Sequence, residues 1–131
     1  MSETRLARRL AALESATTDQ VVVVTLDSLN GASIEQVGHA LGNRRGVGRA
    51  DLDNGVLLLV VPSEQRVRVE VGLGLEGLLT DARSAAIVRA MLPQFASAQP
   101  HQASEAGIGE IDVLLRSDRR RPQRKPLKDA A

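Results

Sequence analysis

The chain has 131 residues, with seventeen Lys/Arg against sixteen Asp/Glu and a formal net charge of +1, a length that fits one domain with room for a hydrophobic core. Phe95 is the sole aromatic residue and there is no Cys, which excludes a disulfide framework, a thiolate zinc site and a Cys nucleophile, and argues against nucleic-acid recognition by base stacking. No apolar run approaches the roughly 18 residues of a bilayer-crossing helix and residues 1–13 lack a signal-peptide core, so the chain as it stands reads as soluble and cytoplasmic, or periplasmic or membrane-anchored as a fragment of a longer protein.

Leu6, Leu10 and Leu13 recur at helical spacing and predict an amphipathic helix over residues 3–16. Gln20–Leu26 is a β-branched run expected as a strand buried on both faces. Asn30-Gly31 makes a turn, and Ser33 is the N-cap of a helix carrying Ile34, Val37 and Leu41. Gly42 to Gly55 reads as a long polar loop, of the kind that is either functional or mobile. Val56–Val61 is a second buried strand. The four-residue link Pro62–Gln65 then favours an antiparallel hairpin with Arg66–Val71, in which Val67, Val69 and Val71 point one way and Arg66, Arg68 and Glu70 the other. Thr80 or Asp81 caps a helix that halts near Pro93, and a last helix spans about Ala103–Leu115. The first crossover is expected to be right-handed, with its two strands parallel. The fold class is therefore α/β: a three-layer α/β/α sandwich around a small mixed sheet. Residues 1–115 carry ten basic and fourteen acidic side chains, net −4, whereas residues 116–131 carry seven and two, net +5. That Pro-containing basic segment is expected to be a disordered tail or linker. Anionic lipid is its candidate contact.

Gly72-Leu-Gly-Leu-Glu-Gly77 spells G-x-G-x-x-G after a strand. Helices rather than a parallel strand follow it, and Glu76 would repel an anion in the cradle, so a dinucleotide cofactor is not expected. The glycines are instead expected to supply positive φ and close backbone approach. The hairpin brings Asp53, ahead of its first strand, beside Glu76 and Asp81, which follow its second; Asp27 falls at the opposite edge. Asp53, Glu76 and Asp81 are the candidate metal ligands, hard oxygen donors suited to Ca²⁺ or Mg²⁺, with Asp51 and Glu70 as supplements. The same residues also read as turn and cap chemistry in a structural domain with no metal site. His39 and His101 have no partners at ligand spacing and are taken as structural. Arg44, Arg45 and Arg49 are candidates for a phosphate contact. No G-x-S-x-G elbow is present, and catalytic residues are not identified.

Ser28–Glu35, Gly46-Val-Gly48, Asp53–Val60, Arg66–Gly77 and Leu79-Thr-Asp81 together resemble the TPM domain family over about residues 5–115. The resemblance implies a Rossmann-like α/β/α sandwich. The family includes a thylakoid lumen protein linked to acid phosphatase activity and photosystem II repair, an accessory protein of a neurotransmitter receptor, and many bacterial proteins, commonly exported and membrane-anchored. Some members bind divalent cations, calcium above all, and by position that role falls to Asp53, Glu76 and Asp81. The family's usual Trp before Gly46, Tyr where Leu73 stands and Tyr near His101-Gln102 are absent, which argues against an activity that depends on them. Three functions follow as expectations: a cation-binding interaction or membrane-protein maintenance module with a protein partner at the membrane; a weak metal-dependent phosphatase acting on phosphomonoesters; or a purely structural domain.

Overall fold

In the computed structural model, which describes residues 2–45, 54–96 and 101–117, the element order is α-β-α-β-β-α-α. The leucine-valine run of β2 (Gly55–Val61) is buried at every position and forms the middle of a three-stranded sheet. Strand β1 (Gln20–Thr25) lies parallel to it on one side, and β3 (Arg66–Val71) antiparallel on the other. Alternation along β2 divides the core. Val56, Leu58 and Val60 face a layer made by α1 (Ser2–Thr17), α3 (Asp81–Met91) and α4 (His101–Arg116). Leu57, Leu59 and Val61 face Leu29 and also Ile34, the first residue of α2 (Ile34–Arg45), which among the described residues is the one helix of the opposite layer. This is a Rossmann-like α/β/α sandwich.

Strand β1 departs from the expectation of burial on both faces. It is an edge strand, so Val22 and Val23 are only partly covered and Thr25 is exposed. Helix α2 also runs farther than expected. Gly42 is helical rather than the first residue of a loop, and residues 46–53 lie outside the described residues. A Cβ at Gly38 would stand 3.1 Å from Arg68 Cγ, and one at Gly42 would stand 3.4 Å from Glu70 Cγ. These missing methyls let α2 lie close over β3, which offsets the helix propensity the two glycines give up.

The ends of the elements are fastened by short polar devices. Ser33 Oγ accepts from the Gln36 N–H at 3.1 Å and caps α2, while Thr80 Oγ1 accepts from the Arg83 N–H at 3.2 Å and caps α3. Helix α1 stops at Thr17, whose hydroxyl donates to the Leu13 carbonyl at 2.7 Å and accepts from the Asp19 N–H at 3.2 Å. Thr18 then takes a left-handed φ of 64°, turning the chain into β1. At the opposite end, Glu64 of the hairpin accepts from Ser28 Oγ and the Leu29 N–H, and Ser63 Oγ donates to the Asp27 carbonyl. Asp27 therefore sits at the hairpin-turn end of the sheet, as strand direction requires. Residues 118–131, most of the basic tail, lie outside the described residues.

Candidate functional site: an acidic groove along the third strand

The groove is built from the C-terminal end of β3. The Gly72 N–H donates to the Gly55 carbonyl at 2.8 Å, so the exit of β3 and the entry of β2 share one edge. A 3₁₀ turn over Leu73–Leu75 follows, pinned by two buried side chains, Leu75 and Leu79. The turn leaves Glu76 exposed above them and delivers the chain to the Thr80 cap, so that exposed Asp81 becomes the first residue of α3. A carboxylate there is favoured by the partial positive charge of the helix N-terminus. Thr80→Ala removes the hydroxyl that sets this geometry. Its expected result is a loss of about 1 kcal/mol in unfolding free energy, read from the urea midpoint, with amide NMR shifts confined to Leu79–Ser84.

Gly72, Gly74 and Gly77 do not carry the positive φ expected of them. Gly72 has φ −68°, and among the described glycines only Gly31 is left-handed, at 84°. The 3₁₀ turn that follows Gly72 is built without a left-handed residue.

Between α2 and α3, along β3, lies an open cavity of about 700 Å³ lined by Glu35, Glu70, Glu76 and Asp81, with Arg68 as its basic member. The Arg68 Nε lies 3.1 Å from Glu70 Oε2, and His39 Nδ1 lies 3.5 Å from Glu70 Oε1. Among the described residues, four carboxylates stand against one guanidinium that is itself paired with Glu70, which makes this lining cation-attracting. Of the three predicted ligands, Glu76 and Asp81 are thus brought to one groove. Asp53 and Asp51 lie outside the described residues. Arg49 is outside as well. Among the described residues, no group of three or more His, Asp or Glu is arranged to hold a metal ion.

Three acids or acid roles escaped the sequence reading. Asp19 is fully buried at the entry of β1, and its Oδ1 accepts from Asn54 Nδ2 at 3.2 Å, while the same amide donates to the Thr18 carbonyl at 2.7 Å. Because β1 and β2 are parallel, the strand-direction argument that set Asp27 apart also puts Asp19 at the Asp53 end; that signal was available. Glu35 carried no such signal, since its place in the groove depends on how α2 crosses β3. The third is the approach of His39 to Glu70, between segments far apart in sequence.

Three comparisons bear on identity. The family model of the TPM domain, TPM_phosphatase, matches residues 1–114. The chain is similar to the N-terminal domain of a protein from P. gingivalis, at 33% identity and a TM-score of 0.79, over 87% of this chain and 73% of that one. At 17% identity it shares its fold with the N-terminal domain of a Corynebacterium glutamicum protein (TM-score 0.67, 86% of this chain and 70% of that one). It also shares it with the BA42 protein of the psychrophilic Bizionia argentinensis, again at 17% identity (TM-score 0.73, 98% and 83%). No curated protein matches. With a family match over nearly the whole sequence, and a 33% identical structure superposing on the same sandwich, the chain belongs to the TPM domain family.

Proposed function

We propose that this TPM domain is a divalent-cation-binding interaction module, taking Ca²⁺ or Mg²⁺ at the acidic end of the groove, and that it serves a protein partner in membrane-protein maintenance. The observation that carries the reading is the convergence of Glu76 and Asp81 on a groove that also holds Glu35 and Glu70. The donor chemistry fits a hard cation: carboxylate oxygens, with backbone carbonyls of the turn close by. Glu76 and Asp81 supply two carboxylates, and Asp53 is the proposed third. Bound there, the ion would neutralise the groove and order the turn between β3 and α3. No helix among the described residues is long and apolar enough to cross a membrane. The membrane part of the proposal therefore rests on the family and on the net charge of +5 in residues 116–131, where each basic residue near an anionic surface contributes about 1 kcal/mol.

Calorimetric titration of the full chain with CaCl₂ and with MgCl₂ tests the cation. The double variant Glu76→Gln/Asp81→Asn is expected to weaken binding at least about tenfold, equivalent to 1.4 kcal/mol. Equal affinities for wild type and variant would remove both residues from the site. Phosphomonoester hydrolysis is the alternative reading and draws on the same acids. Turnover of a generic phosphomonoester with Ca²⁺ or Mg²⁺ that falls with the same double variant would favour it.

A further inference from the structure

Among the described residues no strand pairs with the outer edge of β3, and the hydrogen-bond phase of that edge can be read. The Gly72–Gly55 bond fixes the alternation of the β2–β3 ladder. Glu70, Arg68 and Arg66 exchange bonds with Leu57, Leu59 and Val61. The N–H and C=O groups of Val67, Val69 and Val71 therefore point away from β2. Among the described residues none of these outward groups makes a hydrogen bond. All five residues from Val67 to Val71 line the groove, both those whose side chains face α2 and those that face the opposite layer. A groove lined by both kinds of residue follows the edge of the strand rather than either face of the sheet. Natural edge strands are commonly covered, shortened or broken by proline or bulges; β3 keeps a regular six-residue ladder and opens it into a cavity.

We propose that β3 is a docking strand, on which an extended basic segment of a partner protein pairs as a fourth strand within the groove between α2 and α3. Main-chain bonds to Val67, Val69 and Val71 supply the register, as in other peptide recognition by strand addition. Charge selects the occupant. On the α2 side the added strand meets Glu35 and Glu70, and toward α3 it meets Asp81 and the apolar Val88, with Glu76 at the end. Side chains of a strand alternate between faces, so the fitting sequence alternates Lys or Arg with β-branched apolar residues. An acidic segment would face four carboxylates.

The proposal rests on the interaction part of the function given above and not on the cation. The test is NMR on the ¹⁵N-labelled full chain, titrated with acetyl-Lys-Val-Arg-Val-Lys-Val-amide in EDTA and again in Ca²⁺. Binding is expected to slow hydrogen exchange at the Val67, Val69 and Val71 amides. N-methylation of one alternate set of peptide residues should weaken it at least tenfold, methylation of the other set should leave it intact, and Glu35→Gln/Asp81→Asn should weaken it severalfold. No added protection at those amides overturns the docking strand, as does equal binding of both methylated peptides or of a Glu-Val repeat. Protection already present in the free chain overturns the partner segment as occupant: if it is independent of concentration the chain's own basic segment fills the edge, and if it grows with concentration a second copy does. Protection by the peptide in EDTA with no response to Ca²⁺ upholds the docking strand while sinking the cation site; Ca²⁺ shifts without peptide protection do the reverse.

Discussion

Leu58→Ala is expected to lower the unfolding free energy by about 2–5 kcal/mol, much of the roughly 5–15 kcal/mol that holds a domain of this size together. Leu58 is fully buried at the centre of β2, paired with Val23 on one side and Val69 on the other. Its side chain faces the layer of α1, α3 and α4, within a core that has to be built from aliphatic residues. Truncation leaves a cavity where three helices and the sheet meet, and close-packed neighbours can collapse into it only in part. Urea unfolding followed by circular dichroism should show the midpoint falling with an unchanged slope. A change no larger than that of Val113→Ala, on an exposed side chain, would contradict the central placing of β2.

The second large effect is expected at Asn54. This fully buried amide ties the entry of β2 to the entry of β1, through the Thr18 carbonyl and the Asp19 carboxylate. Asn54→Ala withdraws a donor from the buried Asp19 carboxyl group, a loss of about 1–3 kcal/mol. Asn54→Asp should lose more, since it sets a second carboxylate against Asp19. Thermal unfolding of the two variants beside wild type checks the order. If Asn54→Asp were as stable as wild type, the hydrogen bond from the amide to Asp19 would not matter to stability.

The sheet was readable because its determinants are local. A four-residue link between two apolar runs requires a hairpin, and alternation of Val with Arg and Glu assigns each face of β3. The polar ends Ser33 and Thr80 declared their helices in the same local way. Harder to read was everything set by packing between distant segments. The run Val21–Val24 has the composition of a central strand, yet its position in the sheet, with no strand beyond it among the described residues, leaves it half covered. Gly42 looked like the start of a loop, and only the close approach of α2 to Arg68 and Glu70 gives Gly38 and Gly42 a role. Glu76 and Asp81 were identified from strand direction, whereas Glu35 depends on the crossing of α2, which no local pattern encodes. Asp19 was within reach of the same directional argument and was missed because it reads as the turn after α1.

The most direct measurement is a Ca²⁺ titration of the full chain followed by ¹⁵N–¹H NMR. Saturable shifts are expected to cluster at Gly72–Asp81 and at the β2 entry around Asn54, and to vanish in Glu76→Gln/Asp81→Asn. The absence of any saturable shift, or shifts centred on the acids of α4 (Glu105, Glu110 and Asp112), would contradict a cation site in the groove.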